Sequence, residues 1–510
     1  MMSNIQPTLL DKKSLLILTI GMGLGTFIQV LDSSIANVSI PAIAGSLGAS
    51  VHEASWVITS FVVSNAVVLP LSGWLSKRFG EVNLFIYSTI LFALTSWLCA
   101  EAASLYMLIL FRILQGAVAG SLIPLSQSIL LANYPPEKKG LALGLWSMVV
   151  IIAPIVGPVL GGWITDYHGW PWIFYINIPL GFLSAFLTYN VLGHKKIPAD
   201  ERPIDKIGFV ILVIAVSSLQ IFLDKGNELD WFDSHFISGL CIISIVAFIA
   251  FIAWELYYPY PIVNLSFFKK RSFVVGSVLT SLGFMMFFGS TVLVPVWLQT
   301  QMNYTAFWAG IALAPIGAFS LILMPLIGKN LHRINLQLVI SFSFLIFAIT
   351  FHWFSLLNTQ ASLAQIITPR LFQGIALACF FLPLTTMSLS ELPKEETASA
   401  AGVFNFVRLV IGGGGGASIF VTIWSRRQTV HQNFLWEIAS KNRSYLNSSL
   451  LTEENPLSNQ IIAHLIAKQS GMLAINDIFY LCSILSIVLA VGVWIARPKT
   501  NHVQHQVSAE

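Results

Sequence analysis

Charge is what this sequence has least of: 27 basic and 23 acidic residues make up only 10% of 510. A soluble domain carries about 25% charged residues. That shortage excludes a water-facing globular fold for most of the chain. Basic blocks are missing too, and the net charge is only +4, so nothing marks a nucleic-acid partner. Cysteine is scarce. Cys99, Cys241, Cys379 and Cys482 each stand alone in an apolar stretch, with no C-x-x-C pair, which excludes a disulfide scaffold and a cysteine metal site. There is no Walker loop, no H-E-x-x-H, no G-x-S-x-G and no sizeable soluble domain. An enzyme reading therefore has no catalytic set, and no cofactor or metal is called for.

What the chain does have is long apolar runs. Hydrophobic residues make up 56%, and a bilayer core takes about 20 of them per helix. Such runs predict spans over 14–36, 54–76, 82–100, 105–131, 140–163, 171–191, 207–223, 236–255, 273–298, 306–328, 335–355, 363–388, 398–424 and 474–496. The fold class expected is all-α, integral to the lipid bilayer, with about fourteen transmembrane helices. The first run is read as a helix rather than a removable signal, because no small-residue cleavage site follows it.

Orientation comes from lysine and arginine. With the N-terminus in the cytoplasm, 18 of the 27 basic residues fall in inside segments and six outside. Five of those six lie in one stretch, 425–473. The remaining three, Arg112, Arg370 and Arg408, sit within spans. Both termini are therefore expected inside.

The spans group as six, two and six: a bundle over 1–195, two linker helices over 196–268, and a second bundle over 269–510 that carries an outside loop at 425–473. The two bundles share a motif. Arg112-Ile-Leu-Gln115-Gly116 opens the fourth span and Arg370-Leu-Phe-Gln373-Gly374 the twelfth, which is fourth in its own half. Each is followed by a proline, Pro124 or Pro383. A charged motif recurring at matching places in apolar runs points to a duplicated half. In the outside loop, Ile461 to Ala467 has the pattern of a short amphipathic helix.

Asp32 is the acid most clearly inside a span. A carboxylate in apolar surroundings must be paired, protonated or wetted. A nearby cation favours its ionised form, so a group whose surroundings alternate loads and releases a proton. The competing role is a fixed ion pair joining two helices. Arg112 is the natural partner. By helical rise it lies roughly 10–12 Å from the outer end of its span, and Asp32 roughly 6–8 Å from the end of the first. Asn405 and Arg408, three apart on one helix face, are polar within the thirteenth span. They either line a cavity or bond a neighbouring helix. Gly412 to Gly416 follow them with no Lys-Ser/Thr, which excludes a phosphate loop. Gly157, Gly161 and Gly162 admit close helix approach and Pro158 bends the helix. Clusters such as Phe284-Met285-Met286-Phe287-Phe288 suit an adaptable greasy pocket.

Taken in order, these residues resemble the major facilitator superfamily, and within it the fourteen-helix drug:proton antiporters of the EmrB/QacA type. Leu31-Asp32-Ser33-Ser34-Ile35-Ala36-Asn37-Val38-Ser39-Ile40-Pro41 resembles the family's LDxTIVNVALP signature. Gly73-Trp74-Leu75-Ser76-Lys77-Arg78-Phe79-Gly80 resembles the G-x-L-a-D-r-x-G loop, with Lys77 where that loop has its acid. Gly157-Pro158-Val159-Leu160-Gly161-Gly162 is similar to the fifth-helix antiporter motif. Trp170-Pro-Trp172-Ile-Phe174-Tyr-Ile-Asn177-Ile-Pro179 is similar to the run opening the sixth helix. Leu223-Asp224-Lys225-Gly226 with Asp230-Trp231 resembles EmrB more than QacA.

The resemblance implies the major facilitator fold and proton-coupled export of hydrophobic or amphipathic compounds by alternating access in a bacterial inner membrane. Import of a nutrient with protons is the alternative. It assigns proton coupling to Asp32 and Arg112, a substrate cavity to Asn37, Gln115, Asn405 and Arg408, and conformational roles to Gly73, Arg78, Gly80, Gly157, Pro158, Gly161 and Gly162. It also implies a periplasmic adaptor and an outer-membrane channel as partners.

Overall fold

The computed structural model describes residues 10–193, 205–331, 333–392, 396–441 and 456–496. Among them, thirteen helices are long and apolar enough to cross a membrane, or fourteen if one bent pair counts as a span. The charged stretch 194–203 and the expected boundary at 195/196 lie outside the described residues.

The first half comprises α1 (Lys12–Leu47), α2 (Val51–Ala54), α3 (Trp56–Val68), α4 (Ser72–Phe79), α5 (Glu81–Ala100), α6 (Leu105–Ala119), α7 (Leu122–Asn133), α8 (Lys139–His168), α9 (Trp172–Tyr175) and α10 (Asn177–Leu192). Then come α11 (Lys206–Lys225) and α12 (His235–Tyr257). The second half holds α13 (Arg271–Gln301), α14 (Ala306–Leu313), α15 (Pro315–Asn330), α16 (Leu336–Ser355), α17 (Leu363–Leu389), α18 (Thr397–Val407), α19 (Gly415–Lys441) and α20 (Pro456–Gly492). A π-helical segment, Arg408–Gly414, joins α18 to α19.

Several boundaries differ from the sequence expectation, each for a physical reason. The span expected over 54–76 is bent by 63° between α3 and α4. Pro70 lies at the break. It brings no N–H to the ladder, and the chain turns there through i→i+3 bonds, Leu71 N to Val68 O and Ser72 N to Leu69 O. The first helix runs on to Leu47, beyond the apolar run that ends near residue 36. Asp32 therefore lies about 22 Å from the far end of α1, by helical rise, and not 6–8 Å.

The largest correction concerns 425–473. The described parts of this stretch are not open loop. Residues 425–441 continue α19 and 456–473 open α20. Polar side chains ended the apolar run but not the helix, since a helix already nucleated extends at little cost. The extension carries a Glu437–Lys441 pair at i,i+4, and Arg427 and His431 both reach Asp477 on α20, at 2.7 Å from Arg427 Nε and from His431 Nε2. Ile461 to Ala467 is helical, as its pattern predicts, though within the long α20. Residues 442–455 lie outside the described residues.

Within the first half, α1 packs on α8 and α10, α3 on α6, and α5 on α6 and α10. In the second, α16 packs on α17 and α20, α15 on α17, and α13 on the π segment and α19. The two sets meet along α8 against α15 and α7 against α18. α11 and α12 form a hairpin whose inner helix rests on α3, while α12 turns residues such as Ile242, Val246 and Ile249 outward.

At the end of the bundle where α1 begins, here called the basic end, the halves touch through small residues. A Cβ on Gly73 of α4 would lie 2.6 Å from Ser399 Cα on α18, and one on Gly144 of α8 would lie 2.7 Å from Met324 O on α15. Gly140 and Gly328 press backbone against backbone at the same seam. Such contacts exist only where there is no side chain to hold the helices apart.

Candidate functional site

Asp32 is fully buried in the middle of α1, and two other helices supply its partners. Its Oδ2 pairs with Arg112 Nη1 of α6. Its Oδ1 accepts from Asn177 Nδ2 of α10 at 2.8 Å and from Gln115 Nε2 of α6 at 3.3 Å. Gln115 in turn donates to Ser96 Oγ of α5 at 2.6 Å and accepts from Arg112 Nη1 at 2.7 Å. Arg112 Nε donates to the Val57 carbonyl of α3 at 3.0 Å, and the guanidinium lies 4.1 Å from the centre of the Phe61 ring. A buried ion pair survives only when the remaining lone pairs and protons are met. Here nearly all are, and Arg112 Nη2 and Asn177 Oδ1 are the atoms left over.

The sequence reading pairs Asp32 with Arg112, and the structure brings them together. Gln115 is wholly buried inside this network, where its amide is held by both charges. Asn37 is exposed, one turn beyond the cluster. Asn177, named only within the run that opens the sixth helix, and Ser96 were given no site role. The signal for Asn177 was a polar residue inside an apolar span.

The second half repeats the arrangement without the acid. Arg370 Nη1 donates to Gln373 Oε1 at 2.8 Å, as Arg112 does to Gln115, and to Ser290 Oγ at 3.2 Å. Ser290 and Arg370 are separated by 80 residues, as are Asp32 and Arg112. Ser290 thus stands where the first half has Asp32. Among the described residues, the Arg370 site holds no carboxylate for a proton to neutralise.

A third buried arginine lies at the seam between halves. Arg408 opens the π segment, only 7% exposed. Its guanidinium sits 4.8 Å from the Phe284 ring and 5.3 Å from that of Phe381. Phe381 stacks with Trp146 of the first half at 6.1 Å. Among the described residues no carboxylate pairs with Arg408, and its Nε has no partner. One turn earlier, buried Asn405 donates to the Ala401 carbonyl at 2.8 Å and to Gln127 Oε1 of α7 at 3.5 Å, so it ties the halves together.

The motif glycines divide their work. Gly157 and Gly161 receive Ser34 and Ile35 of α1, so they bind α8 to its own half. Gly162 meets nothing closer than 3.8 Å, and Pro158 lies inside α8 without ending it. The approach to the other half is made by Gly140 and Gly144, which the sequence reading missed although their i,i+4 spacing is the usual signal. Gly80 has φ +79° at the start of α5, where a side chain would be strained. Lys77 and Arg78 are exposed beside a cavity of about 160 Å³. Glu396 of the second half also lines it, so an acid does face this loop, but from across the seam.

Comparisons with known proteins agree with this architecture. A family model described as Major Facilitator Superfamily matches residues 22–417. "Multidrug export protein EmrB" of Escherichia coli is 46% identical over 96% of this chain and 96% of its own length. "Fatty acid resistance protein FarB" of Neisseria gonorrhoeae is 45% identical over 94% and 96%. Among solved structures, the proton:xylose symporter XylE bound to 6-bromo-6-deoxy-D-glucose superposes with a TM-score of 0.59 at 15% identity, covering 95% of this chain and 96% of that one. With near-half identity along nearly its whole length, this multi-pass membrane protein belongs to the Major Facilitator Superfamily, among the EmrB-like multidrug export transporters.

Proposed function

We propose that the chain exports amphipathic compounds, above all organic anions, in exchange for protons that load on Asp32. The observation that carries this reading is the buried Asp32–Arg112 pair, the acid-bearing member of two otherwise matching arginine sites. A proton arriving at Asp32 cancels its charge, and Arg112 loses its counter-ion. Its remaining holds, the Val57 carbonyl and Gln115, belong to α3 and α6, so the ion pair between α1 and α6 is gone and only the weaker Gln115 bond to Asp32 Oδ1 joins them there. That is a local charge change acting on helix packing, the form a coupling step takes in a two-state transporter. Arg370, with no acid, stays fixed through the cycle.

Arg408 supports the substrate class. A buried cation flanked by Phe284 and Phe381, with no carboxylate paired to it, suits a ligand with an anionic head and an apolar body. A fatty acid, the compound in the name of the FarB relative, has that form. Asn37 and Asn405 contribute polar contacts once the halves part.

With the basic end in the cytoplasm, both termini lie inside and the α19–α20 extension projects about 25 Å beyond the far end of the bundle, by helical rise. In a bacterial inner membrane that is the periplasm. Val430 and Phe434 on α19 and Leu465 on α20 are exposed there. This apolar face is where a periplasmic adaptor, leading to an outer-membrane channel, docks. Phe434→Asp with Leu465→Asp is expected to lose the co-purifying adaptor while export by the purified protein in liposomes stays within about twofold, as for surface changes far from a site. Retention of the adaptor removes the docking role.

The test of the transport reading is substrate-driven proton movement in proteoliposomes, over a panel of amphipathic weak acids and lipophilic cations. Proton release on adding weak acids is the expected result. A panel that moves substrate with no proton flux in either direction overturns it.

A further inference from the structure

The Leu223-Asp224-Lys225-Gly226 and Asp230-Trp231 segment has no part in the site as described so far. It closes the far end of α11. Trp231 N bonds the Gly226 carbonyl at 2.7 Å, and Asp230 and Trp231 take φ of 55° and 50°. The Trp231 ring packs at 5.2 Å on Phe222. This tight turn leaves Asp224 and Lys225 against the first turn of α3. Asp224 Oδ2 accepts from Thr59 Oγ1, and Lys225 Nζ donates to Ser55 Oγ and, at 2.8 Å, to Glu228. Lys225 is 3% exposed, and its ammonium lies 5.3 Å from the centre of the Trp56 ring.

Ser55 and Thr59 are four apart and share one face of that turn. Val57 and Phe61, also four apart, form the face roughly opposite, since a two-residue step turns a helix by about 200°. On that face the Phe61 ring carries the Arg112 guanidinium, and the Val57 main-chain carbonyl accepts from Arg112 Nε. The first two turns of α3 are therefore gripped on one side by α11 and carry the arginine on the other.

We propose that Asp224 and Lys225 are positioning residues for proton coupling: by anchoring the first turn of α3 to the α11–α12 hairpin, they keep Arg112 beside Asp32. The hairpin is then a part of the coupling machinery and not a filler between halves. The inference rests on the coupling role given to Asp32 and Arg112.

The experiment compares full-length Lys225→Met, Lys225→Arg, Asp224→Asn and Thr59→Val in proteoliposomes. Two rates are read: proton-driven export of a weak acid, and substrate counterflow at equal pH on both sides. Counterflow needs binding and alternating access but no proton cycle. Lys225→Met and Asp224→Asn are expected to lower proton-driven export about tenfold, the scale of coupling changes made away from a ligand. Counterflow should stay within about twofold, and Lys225→Arg, which keeps the charge, should recover most of the loss. Equal loss of both rates, or no loss of either, overturns the proposal. Thr59→Val removes the Asp224 contact from the α3 side at nearly constant shape, so it answers the question if a Lys225 variant fails to fold. Asp32→Asn is the control. If it couples normally, the Asp32 reading falls. If it uncouples while the Lys225, Asp224 and Thr59 variants behave as wild type, only the role of the hairpin falls.

Discussion

Asp32→Asn is expected to abolish proton-driven export, by at least about a hundredfold, while leaving substrate counterflow measurable; a buried network residue that serves a single step loses that step and spares the rest. Asparagine matches the carboxylate in shape and can still accept from Asn177 and Gln115, but it cannot take up a proton. The same change also leaves Arg112 as a buried cation without its counter-ion, at a cost of about 3–5 kcal/mol. Loss of export alone therefore does not separate coupling from damage. A second substitution does. In Asp32→Asn with Arg112→Gln the uncompensated charge is gone, so thermal stability should return to near the wild-type value. Proton-driven export should not return. If the double variant regains export with its stability, Asp32 and Arg112 are a structural pair, and the proton is carried elsewhere.

The pair was legible in the sequence because a charge within an apolar span is costly enough to need a reason. Asp32, Arg112, Arg370 and Arg408 stand out at once on that ground. The duplicated R-x-x-Q-G motif was legible too, and the structure adds what spacing within one motif does not reveal: the first-helix position facing the arginine is Asp32 in one half and Ser290 in the other. The place of Gln115 was not legible, because a motif does not say which way a side chain turns. The residue belongs to the ion-pair network, where its amide serves both charges.

Length was misread where polarity was taken for loop. Composition reports the solvent around a helix, water or lipid, and not where its hydrogen bonds stop. So α19 and α20 run through 425–441 and 456–473 despite their arginines, lysines and glutamate. The bend at Pro70 was open to prediction from proline alone. The Gly140–Gly328 contact was harder, since it depends on which faces of α8 and α15 meet across the seam, a long-range fact that no local pattern carries.

Arg408→Gln is expected to lower export of amphipathic anions about a hundredfold in kcat/KM, because truncating one partner of a buried charge pair costs 2–5 kcal/mol, and tenfold is about 1.4 kcal/mol. Lipophilic cations should be exported no more slowly than by wild type, since the seam loses a repelling charge. Arg408→Lys should fall between. An ammonium keeps the charge but lacks the planar fork that binds a carboxylate with two parallel bonds and lies flat against Phe284 and Phe381. The order of the three proteins on one weak acid, arginine above lysine above glutamine, together with its absence for a cation, separates a ligand contact from a packing role. A guanidinium that merely fills the seam predicts something else: equal losses for anions and cations, and no ranking by charge. Because Arg408 opens the π segment that joins α18 to α19, a substrate anion drawn to it would press on the point where the second half is least regular. Binding there is mechanically placed to reach α18, whose Asn405 holds the first half through Gln127.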